Sequence, residues 1–135
     1  MDSINWLAVL LAGVASMVVG WLWYGPLFGK MWKNLMGITP ESMQAMKMKP
    51  MTAMFWGLVM AVITSYVLAY FMGALGVATL GSAMKLACWI WFGFLATQTI
   101  GIYLWEGRPF KLFVLNAIHQ FVMIHVMAGV LFWMM

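Results

Sequence analysis

Residues 20–32 read GWLWYGPLFGKMW and have the features of a membrane helix that leaves the bilayer. The stretch starts as the end of an apolar run, passes through an aromatic cluster, meets Gly25-Pro26 and ends among lysines. Tryptophan and tyrosine concentrate where a helix crosses the membrane interface, and lysine is enriched on the cytoplasmic side. The stretch therefore predicts a membrane protein with a basic first loop.

The composition of the whole chain agrees with this prediction. Of its 135 residues, 66% are hydrophobic and 7% are charged, whereas soluble domains carry about 25% charged residues. A chain this short has too much surface to bury so much apolar material from water, so lipid must cover it. The net charge of +4 comes from few residues, which argues against nucleic acid as a partner.

Four apolar segments are long enough to cross a bilayer, whose core of about 30 Å needs roughly 20 helical residues. They cover residues 4–24, 52–73, 83–105 and 111–133, and none contains an acidic residue. The sequence predicts an all-α fold: a polytopic membrane protein forming one domain, 1–135, as a four-transmembrane-helix bundle. In the first loop, Thr39-Pro40-Glu41 is typical of a helix start, and we expect a short amphipathic helix over 40–49 on the membrane surface.

The charge of the loops predicts the orientation. Lys30, Lys33, Lys47 and Lys49 lie in the first loop, and Arg108 lies in the third. The positive-inside rule places both loops in the cytoplasm and both termini outside. Residues 104–111 also resemble residues 22–30. This similarity indicates either an internal repeat or the residues that recur wherever helices leave a bilayer.

Small residues recur at every fourth position of the second helix. Such stripes let helix backbones approach closely in lipid, but a four-residue step drifts around a helix of 3.6 residues per turn. The stripe can therefore serve two neighbours, one within the chain and one in a second copy, which predicts a homo-oligomer. Its members are Ala53, Gly57, Ala61, Ser65, Ala69 and Gly73.

A layer of polar residues lies at similar depth on the third and fourth helices. Because polar groups are costly in hydrocarbon unless they are paired, we expect them to face the bundle interior. They form either a binding site with a titrating histidine or interhelical hydrogen bonds that fix the bundle. The candidate residues are Thr97, Gln98, Asn116, His119 and Gln120, with Thr99 beside them.

Metal, cofactor and catalytic sites are not expected. His119 and His125 are six residues apart on one helix and cannot share a metal ion, so we expect His125 to pair with a hydroxyl or carbonyl group. The methionine run from Met43 to Met54 could bind Cu(I), but methionine is abundant throughout the chain and fills apolar gaps. No phosphate loop or Ser/His/Asp set is recognisable, so the chain is not predicted to be an enzyme.

The motif W-Y-G-P-L-F-G-K-x-W at 23–32 resembles the domain-of-unknown-function 1761 family. The residues that carry the resemblance are Asn5, Gly20, Trp23, Tyr24, Gly25, Pro26, Phe28, Gly29 and Trp32. The resemblance extends over the whole chain and implies a small four-helix protein of the bacterial inner membrane with no established activity. We expect a structural or binding membrane component; the alternative is a small-solute or proton transporter or channel using the polar layer around Gln98 and His119.

Overall fold

A computed structural model describes residues 4–45 and 48–135, and the regular structure in these ranges is helical. Four of the helices are long and apolar enough to cross a membrane, which confirms the predicted all-α membrane bundle. The helices are α1 (Trp6–Leu27), α2 (Gly29–Met36), α3 (Pro40–Gln44), α4 (Pro50–Ala74), α5 (Leu80–Leu104) and α6 (Phe110–Trp133).

Side-chain caps fix the starts of three helices. The Asn5 side chain accepts a hydrogen bond from the Ala8 N–H over 3.1 Å and donates to the Met134 carbonyl over 2.8 Å, so it also joins the two termini. Thr39 and Thr79 each accept from the backbone N–H three residues later. The expected helix start at Thr39 is confirmed, but α3 ends at Gln44. Met46 and Lys47, parts of the predicted surface helix and methionine run, lie outside the described residues.

The bundle is built around α1 and α6. Both pack against each other, α4 packs mainly on α1, and α5 packs on α6 from the other flank. Small residues at every fourth position of α1 also lie inside, because Ala8, Ala12 and Ser16 are buried. At the crossing of α1 and α4, a Cβ added to Gly13 would lie 3.2 Å from the Val62 backbone nitrogen. The two backbones therefore approach as closely as glycine permits.

The α4 stripe is divided between the bundle interior and its surface. Ser65 is buried, and its hydroxyl donates to the Val9 carbonyl of α1 over 2.9 Å. Gly57 lies against the Met17 side chain, while Ala53 and Gly73 at the ends are exposed. The middle of the stripe thus contacts α1, as expected for its first neighbour.

Two transmembrane helices contain π-helical turns. Helix α1 does not end at Tyr24 but continues through a π turn over Trp23–Leu27, which includes Pro26. Helix α5 has a π turn over Trp91–Ala96, where the Trp91 indole donates to the Ala117 carbonyl of α6 over 2.7 Å. A π turn relieves the clash and missing N–H that a proline brings to a helix interior.

The loops after α1 and α5 differ in conformation. Residues 22–30 continue from the π turn into α2, whereas residues 104–111 leave the helix through Gly107 at φ +67° and start α6 after Pro109. Their similarity in sequence therefore does not produce the same local structure. The two loops do touch, because the Arg108 guanidinium donates to the Met36 carbonyl over 3.1 Å.

Candidate functional site

The π turn at the end of α1 presents two aromatic side chains to α6. Within the turn the Phe28 N–H donates to the Trp23 carbonyl over 2.9 Å, a bond that spans five residues. Pro26 has no N–H to donate, so the wider turn accommodates it without ending the helix. Trp23 and Tyr24 are half-buried here, at the point where they meet α6.

Tyr24 joins the family motif to the polar layer. Its hydroxyl donates to Oδ1 of Asn116 over 2.6 Å. The Tyr24 ring lies 4.9 Å from the His119 ring and 5.3 Å, edge to face, from the Trp32 ring, measured between centroids. We call this group the Tyr24 cluster; it consists of Trp23, Tyr24, Phe28, Trp32, Asn116 and His119.

Two glycines of the motif provide room for this cluster. A Cβ added to Gly29 would lie 2.8 Å from the Tyr24 carbonyl oxygen, a distance that real Cβ atoms do not reach. A Cβ added to Gly20 would lie 3.5 Å from Nε2 of His119. Glycine at 29 is therefore a requirement of the turn, and glycine at 20 leaves room beside the imidazole. A Cβ at Gly25 would have no atom within 4 Å.

Two buried nitrogen atoms of the cluster have no hydrogen-bond partner in the part of the chain that the structure describes. They are Nε1 of Trp23 and Nε2 of His119. The two rings are neighbours, with centroids 6.1 Å apart. Buried polar atoms are almost always paired, so an unpaired one indicates a place where a ligand or water can bind.

The predicted polar layer separates into two groups. Asn116 and His119 face α1, whereas Gln120 faces α5 and accepts from the Thr99 hydroxyl over 2.8 Å. Adjacent residues point about 100° apart on a helix, so His119 and Gln120 reach different neighbours. Thr97 bonds to the Gly93 carbonyl of its own helix and, like Gln98, is exposed. The structure therefore does not bring Thr97 and Gln98 to His119.

His125 follows the expectation for a paired histidine. Its Nδ1 lies 2.7 Å from the Phe121 carbonyl, one turn earlier on the same helix. This confirms a carbonyl as its partner. In the described residues, no three His, Cys, Asp or Glu side chains come together.

A cavity of about 840 Å³ lies between α1, α4 and α6, and we call it the α1–α4 groove. His119 and Gly20 belong to its wall, together with apolar side chains such as Met54, Leu58 and Met123. The Ser16 and Thr64 hydroxyls in the wall donate to carbonyl groups of their own helices. The groove wall thus includes a histidine whose buried Nε2 has no partner among the described residues.

Sequence reasoning identified Tyr24 and Asn116 separately and did not pair them. A usable signal was present, because Tyr24 lies three residues before the end of α1 and Asn116 six residues after the start of α6. Antiparallel neighbours with these offsets place the two side chains at similar depth. The groove itself had no sequence signal, since its wall is made of ordinary membrane residues from three helices.

Comparison with known proteins agrees with the motif. The family model described as "Protein of unknown function (DUF1761)" matches residues 7–132, nearly the whole chain. No curated protein matches the chain, and no solved structure does so. The matched range includes the π turn, Gly20, Gly29 and the α6 residues of the Tyr24 cluster. The chain belongs to the DUF1761 family.

Proposed function

We propose that the chain is a membrane binding protein that holds an apolar molecule in the α1–α4 groove. The observation that supports this is the cavity of about 840 Å³, with His119, Ser16 and Thr64 in a wall that is mainly apolar. Binding sites for small molecules are typically clefts of about 300–1,000 Å³ lined by apolar groups and a few polar ones. The groove combines these two properties.

Hydrogen bonds between helices hold the groove wall in place on one side. The Tyr24–Asn116 bond and the Ser65–Val9 bond hold α1 against α6 and α4, one near each end of the groove wall. A ligand would then occupy space between fixed helices and would not need to separate them. Such preformed sites avoid the cost of reorganisation on binding.

Mass spectrometry of retained lipids tests this function. The full chain is purified in detergent and washed extensively, and the molecules that remain are quantified. Replacing Ala61, in the groove wall, by Phe should fill the space and remove the retained molecule. Replacing the exposed Ala74 by Phe is the matched control and should have no effect. Equal retention in both variants would contradict the proposal.

We propose no catalytic role. The Ser16 and Thr64 hydroxyls in the groove wall donate to carbonyl groups of their own helices, and the Tyr24 hydroxyl is engaged with Asn116. Enzymatic chemistry would instead need a nucleophile within reach of a base. A purified protein that turned over a lipid substrate, with loss of turnover in His119→Ala, would overturn this.

Transport of a small solute or of protons is the second candidate function. It is favoured by the unpaired His119 nitrogen, because a titratable group inside a membrane bundle commonly marks a solute or proton pathway. Flux is measured in liposomes containing the wild-type chain or His119→Ala. A flux that requires His119 would support transport, and equal leak in both would exclude the role of His119 in it.

For location, we propose the bacterial inner membrane with loops one and three in the cytoplasm and both termini outside. The Arg108–Met36 hydrogen bond supports a shared side for the two loops. In a Cys88→Ser background, single cysteines at Lys33 and Met135 are labelled in intact cells with a membrane-impermeant maleimide. Labelling at Met135 alone is expected, and labelling at Lys33 alone would reverse the orientation.

We also propose that the chain forms a homo-oligomer through α4. Ser65 is engaged with α1, so a second copy would use the exposed stripe residues Ala53 and Gly73. Cross-linking at increasing detergent dilution tests it, with Ala53→Trp as the disrupting variant. A monomer at every dilution would contradict the proposal.

A further inference from the structure

The groove extends from one membrane interface to beyond the middle of the bundle. Met51, in its wall, lies in the first turn of α4, and Thr64 lies 13 residues further along the same helix. At 1.5 Å per residue this is about 20 Å. The groove is therefore long enough for an extended hydrocarbon chain and reaches well into the apolar core.

The depth of His119 restricts the head group that it can meet. His119 lies nine residues after Phe110, the first residue of α6, which corresponds to about 13 Å along the helix. Phosphate and ester groups of phospholipids stay at the interface, whereas this nitrogen lies inside the hydrocarbon. The described residues that line the groove include no Lys, Arg, Asp or Glu. A charged head would be unpaired there and costly, so the ligand is uncharged at this point.

The remaining wall favours a flat, polarisable head. Six methionines line the groove: Met17, Met51, Met54, Met60, Met123 and Met127. Thioether sulfur makes favourable contacts with the edges of aromatic rings, and flexible methionine side chains adapt their shape to a bound group. An aliphatic alcohol would gain less from this wall than a planar ring would.

Gly20 of α1 lies beside Nε2 of His119, which is buried. Nε2 of His119 lies close to the position that a Cβ at Gly20 would occupy, at 3.5 Å, and Gly20 is itself in the groove wall. A methyl group there would make an ordinary contact with the ring and cover the nitrogen from that side. Gly20, the residue beside this buried nitrogen, is therefore one that carries the family resemblance.

We infer that the α1–α4 groove binds a lipid-soluble quinone, with a ring carbonyl hydrogen-bonded to His119 Nε2 and the apolar tail along the methionine-lined wall. The inference rests on the proposed function and names its ligand class. Neutral imidazole with its proton on Nε2 donates to the carbonyl, which is an acceptor only. The step is binding alone and involves no transfer of electrons.

Quenching of tryptophan fluorescence by decylubiquinone tests the inference, because Trp21 lines the groove. The full chain is studied in detergent as wild type, Gly20→Ala, His119→Phe and His125→Phe. Saturable quenching is expected for the wild type. Loss of one hydrogen bond should weaken binding about tenfold in Gly20→Ala and His119→Phe. His125→Phe, the matched control on the same helix, should bind like the wild type, and circular dichroism checks folding of each variant.

Competition with decylbenzene distinguishes a quinone ligand from an apolar ligand that has no carbonyl group. Decylbenzene carries a ring and the same tail but no carbonyl, so the affinity measured from its competition should be about tenfold lower than that of decylubiquinone. Equal competition would overturn the quinone assignment while leaving an apolar ligand in the groove. Quenching that is not saturable, or that is the same in wild type and Gly20→Ala, would also overturn it. If lipid retention still depends on Ala61 in that case, the proposed function stands without the quinone.

Discussion

The Tyr24 hydroxyl donates to Oδ1 of Asn116 over 2.6 Å, and this bond joins the π turn of α1 to α6. It connects residues 92 positions apart in the chain. Through this bond, the motif at residues 23–32 and His119 of the groove wall belong to one cluster. The contribution of this bond to the free energy of unfolding can be measured.

Tyr24→Phe should lower the free energy of unfolding by about 0.5–2 kcal/mol, because the Asn116 oxygen loses its donor inside the bundle. Unfolding in mixed micelles of increasing SDS content, followed by circular dichroism, gives the value. Tyr103→Phe is the control, since Tyr103 is exposed and keeps its ring contact with Phe110 in this variant. In a double-mutant cycle with Asn116→Leu, the two losses should not add; strict additivity would show that the bond contributes nothing.

Gly25, in the π turn, and Gly29, the first residue of α2, should differ in their tolerance of alanine. In Gly29→Ala the new Cβ would meet the Tyr24 carbonyl at 2.8 Å, and backbone must move to relieve it. We expect a loss of about 1–3 kcal/mol. Gly25→Ala has no atom within 4 Å of the new Cβ and should be nearly neutral by the same SDS titration. A larger loss for Gly25→Ala than for Gly29→Ala would contradict the observed turn.

Close packing of α1 and α4 predicts a cost for Gly13→Ala. Its Cβ would lie 2.9 Å from Cγ2 and 3.3 Å from Cα of Val62, so the helices would have to separate, at about 1–3 kcal/mol. Gly81→Ala, in the first turn of α5, meets only the Thr79 hydroxyl at 3.9 Å and is the control. Thermal aggregation of the purified variants would rank them; the same midpoint for both would argue against the close approach.

Interhelical and local hydroxyl bonds should contribute differently to stability. Ser65 is fully buried and bonds to the Val9 carbonyl of a neighbouring helix, whereas Thr97 bonds to Gly93 of its own helix. Ser65→Ala should cost about 0.5–1.5 kcal/mol, and Thr97→Val should cost little because its helix keeps its backbone bonds. Equilibrium unfolding of the two variants checks this. A loss confined to Thr97→Val would mean that α4 is not held to α1 as described.

Much of the architecture could be predicted from local information. Four apolar segments, the absence of acids within them and the capping residue Thr39 each report on a short stretch of chain. The end of α1 was harder to predict, because a proline usually ends a helix and the π turn that accommodates Pro26 depends on its surroundings. The sequence indicated a polar layer on two helices, but its division between α1 and α5 depends on how α6 is rotated between them.

The sequence by itself determined the class of protein, the number of spans and the family, because hydrophobicity over some 20 residues and a contiguous motif are properties of the chain alone. Only the tertiary structure decided that Tyr24 meets Asn116, that Gln98 faces outwards and that His119 lies in the groove wall. These facts follow from the rotation of each helix about its axis and from the close approach of helices at Gly13 and Ser65. In lipid, where all faces of a helix can be apolar, packing sets that rotation and the hydrophobic pattern does not.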